Sequence, residues 1–288
     1  MRNRMFQPQQ AFLHKLLLVG SCCVLVLAAQ SRKPLTIVNA ALLEVEDGFA
    51  APPDTVHLPG ETLYLAFNIQ GHTVDRSSRV KINYRIDALD PAGIPFVEPE
   101  IGRVDTELSE KDAKWSPRVR FSPAIPPFAD SGKYRFALHV ADEIGKTQVS
   151  QEVFFQVRGR NVPPSTELVV RNFDFSRQED GDRLSQPAFR RGDVLWASFD
   201  ITGYKIGDKN AISVDYGLAV LNSENKVIFE QPQPAHEQGT SFYPRRYVHA
   251  VFSLNLAGTL PGEYSILLKV RDALGNQTSE SSHRFTVE

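Results

Sequence analysis

A short pattern that occurs twice constrains the fold of this chain more than any other feature. Gly132-Lys133-Tyr134 opens a run of alternating apolar residues that ends in the turn Asp142-Glu143-Ile144-Gly145. The same arrangement returns from Gly262-Glu263-Tyr264 to Asp272-Ala273-Leu274-Gly275, at a constant offset of 130 (262 − 132). A tyrosine that opens an alternating strand, followed by a tight Asp-x-x-Gly turn, is typical of a late strand pair in a β-sandwich. The pattern therefore predicts two copies of one β fold.

Earlier in the chain, two further runs repeat at an offset of 132 (203 − 71). Apolar residues alternate in 63–69 and again in 195–201, and Gly71 and Gly203 end these runs. Period-2 alternation indicates strands with one buried face, and a slip of one residue would turn that face to solvent. No helical periodicity is sustained after residue 30, so we predict an all-β chain with about seven strands in each copy.

The two copies also predict domain boundaries. We assign residues 34–158 to the first domain, residues 159–166 to a linker and residues 167–288 to the second domain. Gly159 and the pair Pro163-Pro164 favour a short and fairly stiff linker. The copies diverge in the polar, Pro-containing loops 99–117 and 231–246. Loops carried on a rigid scaffold often provide recognition, so these two are candidates for it.

Asp130-x-Gly132-x-Tyr134 resembles the tyrosine corner of immunoglobulin-like domains, in which the tyrosine hydroxyl binds backbone a few residues upstream. The two Asp-x-x-Gly turns are similar to the last hairpin of bacterial immunoglobulin-like and fibronectin type III-like tandem repeats. The resemblance covers the architecture of nearly all of residues 35–288. It implies two tandem immunoglobulin-like β-sandwich domains, with structural corner residues at Tyr134, Tyr264, Asp142 and Asp272.

The resemblance departs from antibody domains at the cysteine and tryptophan positions. Phe136 and Ile266 stand where the second disulfide cysteine would be, and Tyr84 or Tyr216 marks the third strand in place of Trp. In these two respects the chain resembles the disulfide-free immunoglobulin-like domains of bacteria. The subfamily stays open.

The N-terminus predicts export from the cytoplasm. Arg2, Arg4 and Lys15 precede the apolar run Leu16–Ala29. The run of about 14 residues suits a signal peptide and is shorter than the roughly 20 residues that span a bilayer. We therefore predict a signal peptide over residues 1–29. Two alternatives are a lipid anchor at Cys22, after the loose lipoprotein box Val19-Gly20-Ser21-Cys22, and an uncleaved anchor.

Cleavage near residue 29 would leave a chain without cysteine, since Cys22 and Cys23 precede that point. It would also remove three of the 32 basic residues, leaving 29 against 34 acidic residues and a formal net charge of −5. A mildly acidic surface argues against nucleic acid and anionic lipid as principal partners. We predict a periplasmic or secreted bacterial protein of the cell envelope, with no membrane insertion after cleavage.

No constellation of reactive residues predicts an enzyme. The sequence has no Gly-x-Ser-x-Gly elbow, no phosphate-binding Gly loop and no His-Glu-x-x-His. We therefore predict neither catalytic residues nor a cofactor. A pocket that gathered His236, His249 and acidic residues would favour an enzyme instead.

Calcium is the most plausible metal, although we predict no metal site. Asp180 and Asp182 place carboxylates on one loop, as does the segment 44–48, and Ca²⁺ takes six to eight oxygen ligands. Asp142 and Asp272 on nearby loops could contribute. Neither loop matches the EF-hand pattern, and Asp-Gly pairs are common turn formers.

Aromatic residues are the candidate binding residues. Trp196 alternates outward on its strand, and Tyr64 is its counterpart in the first copy. Loops or edges of the second copy carry Tyr204, Phe242 and Tyr243. Exposed aromatic rings stack on sugars or anchor protein interfaces. The alternative is that a neighbouring loop or the other domain covers them.

A duplicated scaffold without a reactive constellation favours a non-enzymatic binding or scaffold protein. Its partner would be another envelope protein or a surface polysaccharide. Two alternatives are an accessory carbohydrate-binding module, which needs several exposed aromatic residues on one face, and a two-domain periplasmic chaperone, which the chain length favours.

Overall fold

The computed structural model describes residues 33–112, 114–179 and 181–288. Within these ranges the protein is all-β, with two short 3-10 segments, Glu110–Asp112 and Asp208–Asn210, and no α-helix. None of the described residues belongs to a helix with the length and hydropathy needed to cross a bilayer. The predicted signal peptide, Cys22 and Asp180 lie outside the described residues. Residues 34–288 form one compact unit.

Eight strands precede the predicted linker, and we call them the first half. They are β1 Thr36–Leu43, β2 Val56–His57, β3 Tyr64–Gln70, β4 Arg79–Leu89, β5 Glu100–Glu107, β6 Arg118–Phe121, β7 Gly132–Asp142 and β8 Thr147–Val157. Nine described strands follow it and form the second half. They are β9 Val169–Ser176, β10 Ala188–Phe189, β11 Val194–Thr202, β12 Ile212–Asn222, β13 Val227–Glu230, β14 Ala235–Gly239, β15 Tyr247–Asn255, β16 Gly262–Asp272 and β17 Gln277–Val287.

Each half consists of a small sheet and a large sheet with an apolar core between them. In the first half the small sheet has the order β1-β3-β6 and the large sheet the order β2-β8-β7-β4-β5. Phe67 of the small sheet and Phe136 of the large sheet are fully buried in the same core. Interdigitation of two inner sheet faces is the usual source of stability for such a layer pair.

The second half repeats this order around a second core. Its small sheet is β15-β11-β9, and its large sheet is β10-β17-β16-β12-β13, with β14 also pairing to β12. Phe199, the counterpart of Phe67, is equally buried. The described strands therefore bear out the all-β prediction and form two similar sheet pairs.

The repeat extends to irregular features of the backbone. β2 pairs in parallel with the end of β8, and β10 pairs in parallel with the end of β17. The strand pairs β1–β3 and β9–β11 both shift register, and Asn39 and Asn172 adopt positive φ there, at 54° and 48°. Gly71 and Gly203, at φ 74° and 80°, both follow a small-sheet strand. A left-handed residue at each of these points explains why only Gly or Asn stands there.

The predicted corner residues make matching contacts in the two halves. The Tyr134 hydroxyl donates to the Asp130 carbonyl at 3.0 Å, and the Tyr264 hydroxyl donates to the Leu260 carbonyl at 2.7 Å. The two tyrosine side chains differ in solvent exposure. Tyr134 is fully buried, and Tyr264 is partly exposed. The other half of the chain covers the corner in the first case only, as described below.

Asp142 and Asp272 hold their hairpins through backbone amides. Oδ1 of Asp142 accepts from Ile144 and Gly145 at 2.9 Å each, while Oδ2 accepts from Thr73 at 2.7 Å. Asp272 binds the amides of Leu274 and Lys205 in the same way, at 3.0 and 2.8 Å. Both carboxylates are buried. Each one ties the last hairpin to the loop that follows the small-sheet strand.

The copies diverge at one edge of the large sheet. The first half has the single eight-residue strand β5 beside β4. The second half has two short strands, β13 and β14, which pair with different parts of β12 and are separated by residues 231–234. This interruption shapes the outer face of the second large sheet.

We expect Tyr134→Phe to lower the free energy of unfolding by about 1–2 kcal/mol, because a buried carbonyl loses its donor. Tyr264→Phe should cost about 0.5 kcal/mol, since water replaces the hydroxyl at the more exposed corner. Urea denaturation of the two variants measures both values. A larger loss in Tyr264→Phe than in Tyr134→Phe would contradict the difference in burial.

Candidate functional site

A cluster of buried polar groups lies where the two halves meet, and we call it the junction. Asp90, in the turn after β4, is 1% exposed, and Tyr243, in the loop between β14 and β15, is 2% exposed. Although Tyr243 comes from the second half, its ring belongs to the core of the first half. It stacks on Phe128 with ring centroids 6.1 Å apart and planes inclined at 14°. The second half therefore supplies part of the core of the first half.

The two oxygens of Asp90 have separate partners. Oδ1 accepts from the amides of Ala92 and Ile94, both at 2.8 Å, and so builds the turn. Oδ2 accepts from the Tyr243 hydroxyl at 2.9 Å and from Nη2 of Arg246 at 2.8 Å. A buried carboxylate needs a partner for each oxygen, because desolvation of an unpaired charge is costly. Asp90 obtains half of its partners from the second half of the chain.

Arg246 connects three groups at this point. Its Nη1 donates to Oδ2 of Asp130 at 3.2 Å and to the Tyr243 hydroxyl at 2.6 Å, while Nη2 binds Asp90. The planar guanidinium presents donors in several directions, which suits a site with two carboxylates. The ring of Tyr243 also lies 5.1 Å from the guanidinium carbon.

The junction shifts the pKa values of its members in different directions. Burial alone would raise the pKa of Asp90, but hydrogen bonds from Ile94, Arg246 and Tyr243 bring it below its ordinary value. Burial raises the pKa of Asp130, and Arg246 opposes this only in part. Burial raises the pKa of Tyr243 to about 12, so its hydroxyl keeps its proton as a donor at neutral pH. Arg246 therefore lowers the pKa of both carboxylates, and only Asp90 also receives amide donors that bring its pKa below the ordinary value.

Arg160, in the predicted linker, takes part in a second polar cluster on the small sheet of the second half. Nη1 of Arg160 lies 3.5 Å from Oδ2 of Asp200, a fully buried residue of β11, and Nη2 donates to Nε2 of His249 at 3.1 Å. His249 in turn pairs through Nδ1 with Oδ1 of Asp200 at 2.8 Å, and Asn172 donates to Oδ2 at 2.8 Å. The backbone of Arg160 pairs with Asp130 of the first half. Arg160 follows the first half and binds the second, whereas Arg246 belongs to the second half and binds the first.

The Asp200–His249 pair is arranged for structure. A guanidinium only donates hydrogen bonds, so Nε2 of His249 must accept from Arg160, and Nδ1 must carry the proton that Asp200 accepts. The nitrogen that a general base would use is therefore occupied. His236 lies elsewhere, on β14, where it pairs with Asp215 and Gln238. The two histidines that could have supported an enzyme are not brought together.

The structure places the five candidate aromatic residues in different surroundings. Tyr204 is buried, and its hydroxyl donates to the Arg245 carbonyl at 2.6 Å, while Tyr243 is buried in the junction. Tyr64 and Trp196 are half-buried on their strands, and Phe242 is 51% exposed. Each buried ring has a hydroxyl that finds a partner inside the protein, which explains why these loop tyrosines are covered. The five residues do not form a single exposed surface.

The carboxylates considered for calcium have other roles or stand alone. Asp47 pairs with Arg120 at 2.7 Å, and Asp142 and Asp272 bind backbone amides. Asp182 is exposed. Within residues 33–112, 114–179 and 181–288, His, Cys, Asp and Glu side chains form no group of three or more that could hold a metal ion.

The sequence prediction named Tyr243 and Asp130 but not Asp90 or Arg246 and not their contacts, although a signal for the two carboxylates was present. Asn222 stands at the position of Asp90 in the second half, and its Oδ1 accepts from the amides of Glu224 and Lys226 as Oδ1 of Asp90 does in the first. Leu260 stands at the position of Asp130 and is 67% exposed. Both differences add a carboxylate to the first half only. Comparing the two copies position by position would have drawn attention to them.

No protein-family model matches the chain, and no curated protein matches it. Among solved structures, the C-terminal domain of the AgI/II polypeptide BspA of Streptococcus agalactiae is 9% identical, with 88% of this chain and 100% of that chain covered and a TM-score of 0.33. The C-terminal domain of the antigen I/II-family protein AspA of Streptococcus pyogenes is 12% identical, with 88% and 99% covered and a TM-score of 0.31. At such low TM-scores the likeness assigns neither a family nor a function.

We expect Asp90→Asn to lower the free energy of unfolding by about 1–3 kcal/mol, since it leaves the half-buried Arg246 with Asp130 alone. Asparagine keeps the oxygen that builds the turn, as Asn222 shows in the second half. The matched control is Asn222→Asp, which adds a charge at an exposed turn and should change stability by less than about 0.5 kcal/mol. Equal effects of the two substitutions would argue against the pairing.

The same variants give a second measurement through pH. The folded pKa of Asp90 lies below its reference value of 3.8, so its contribution is fully present above that pH and is lost as the pH falls through the folded value. Asp130 acts in the opposite direction, because its raised pKa favours protonation in the folded state. We therefore expect the stability difference between wild type and Asp90→Asn to be constant from pH 5 to 7 and to shrink below pH 3.8. A difference independent of pH would contradict this role.

Proposed function

We propose that the chain is an extracytoplasmic, non-enzymatic binding and scaffold protein. In this proposal the two sheet pairs are immunoglobulin-like domains, with the boundaries predicted from the sequence, and the junction holds them in one orientation. The observation that carries it is the burial of Tyr243 from the second half in the core of the first, with its hydroxyl bound to Asp90. A defined orientation sets the distance between surfaces on the two domains.

The polar side chains at the boundary support a scaffold. The charged residues at the boundary are paired. Arg246 binds Asp90 across the two halves, and His249 binds the buried Asp200. Buried and paired charges of this kind are weak sources of net stability, and they favour one arrangement over others when a mismatch would leave a charge unpaired. This is the property that a spacer between two binding surfaces requires.

Spin labels on the two halves test the fixed orientation. Residues 34–288 contain no cysteine, so Lys146→Cys and Glu224→Cys, both at exposed positions, create two label sites only in a chain of these residues. We expect a single narrow distance distribution, which broadens in a chain that also carries Tyr243→Ala and Arg246→Ala. Phe242→Ala is the control for Tyr243→Ala, because Phe242 is the exposed neighbour. A broad distribution in the otherwise unsubstituted chain would refute the fixed orientation.

Capture from bacterial envelope extracts tests binding. Phe242, Trp196 and Tyr64 are the candidate aromatic residues with some solvent exposure, and the first two carry the largest exposed fraction and the largest ring. We expect Phe242→Ala combined with Trp196→Ala to reduce the recovery of captured partners several-fold, because aromatic anchors contribute much of the energy at an interface. Val251→Ala, at another partly exposed apolar position, is the control. Unchanged recovery with the double variant would remove these residues from the proposal.

A further inference from the structure

The outer face of the second large sheet carries a groove with a volume of about 540 Å³. Its floor is formed by β12, β16 and β17, and its lining includes Gly217, Pro234 and Glu280. Buried neighbours such as Val214 and Leu218 face the core, so Asp215 and Gly217 between them face outward. The groove is separate from the junction and does not depend on it.

In the first half, a side chain occupies the position that is open in this groove. The corresponding hollow there measures about 240 Å³ and is lined by Arg85, His139 and Ser150. Arg85 stands where the second half has Gly217, and it forms a two-pronged ion pair with Asp87 at 2.6–3.1 Å. Gly217 has no side chain, and an added Cβ would meet Pro234 only at 3.6 Å, an ordinary contact. Close packing therefore does not require this glycine, and the groove is open because a side chain is missing.

Charges of both signs surround the open floor. In the register of the strands, Asp215 of β12 lies opposite Arg271 of β16, and Gly217 lies opposite Lys269. Lys269 in turn lies opposite Glu280 of β17. Lys269 approaches Glu230 at 3.7 Å, and Asp215 pairs with His236, which also lines the groove. Among the described residues, neither Arg271 nor Glu280 forms an ion pair with a neighbour. One cation and one anion in the groove are thus available to a ligand.

We propose that this groove binds an acidic saccharide, with the sugar carboxylate on Arg271 and a ring hydroxyl on Glu280. An arginine and a carboxylate form strong paired hydrogen bonds. A carboxylate side chain only accepts hydrogen bonds, so Glu280 needs a ligand that donates, as hydroxyl groups do. The volume falls in the range of about 300–1,000 Å³ that is typical of small-molecule sites.

The same chemistry disfavours a peptide. The backbone groups of β12, β16 and β17 at the floor are already paired with one another, so an added strand would find no main-chain partners there. An acidic peptide side chain would satisfy Arg271 but would bring no hydroxyl donor to Glu280. A neutral sugar would satisfy Glu280 and leave Arg271 without a partner.

Calorimetric titration of the mature chain with tri-galacturonate tests the proposal, with galactotriose and tri-glutamate as comparison ligands. We expect saturable binding of tri-galacturonate and binding at least tenfold weaker for the other two ligands. Gly217→Arg, which introduces the residue of the first half, should weaken tri-galacturonate binding at least tenfold. Arg85→Gly is the matched control in the first half and should leave the affinity unchanged.

A second pair of variants covers the case in which Gly217→Arg does not fold. Arg271 is exposed, and Arg271→Gln should also weaken tri-galacturonate binding at least tenfold. Arg284→Gln, on β17 outside the groove lining, should have no effect. The proposal is overturned by absent binding at millimolar ligand, by equal binding of tri-glutamate or galactotriose, or by affinity that both groove variants leave intact. Envelope capture that persists in any of these cases keeps the scaffold proposal and removes only the groove.

Discussion

The placement of Tyr243 and Arg246 against Asp90 is the interaction on which the arrangement of the molecule depends. A carboxylate at 1% exposure is stable only if its oxygens have donors, and the first half supplies donors for one oxygen alone. The second half supplies the rest and adds an aromatic ring to the core that it meets. Separating the halves would expose that ring and leave Asp90 half-satisfied. The cost of separation therefore contains an apolar part and a polar part that act together.

Arg160 makes a second contact between the halves, in which the second half depends on a residue that follows the first. Arg160 follows the first half, and its side chain reaches the buried Asp200 of the second half, which His249 and Asn172 also hold. The linker is therefore part of the packed structure and not a tether of free length. A short linker with Gly159 and two prolines was expected to be stiff, and its packing gives a further reason for stiffness. Stiffness and a polar boundary together support two surfaces at a constant separation.

Much of the fold could be predicted from the sequence because the copies share their period. Alternation located strands such as β3, β7, β11 and β16, and the Gly and Asp positions located the turns, since few residues tolerate those dihedral angles. The segments 99–117 and 231–246 were predicted as loops, and this was wrong, because they contain the edge strands β5 and β14, which are polar and bury no residue fully. The site was harder to predict. Alternation says which side of a strand a residue faces, but Tyr204 and Tyr243 lie in loops, where burial is decided by contacts distant in sequence. Asp90 resembled an ordinary turn former, and only the difference from Asn222 distinguished it.

The ends of the two halves also determine how copies of the chain can meet. Docking of one sheet pair onto the next needs a Tyr–Arg loop on one and two carboxylates on the other. Between Leu108 and Pro117 the first half has neither Tyr nor Arg, and at the far end the second half carries Asn222 and Leu260 in place of the carboxylates. A head-to-tail contact that does not close by symmetry generates filaments when it is repeated. Here the complementary pair is consumed within a single molecule, so this contact cannot propagate into a fibre.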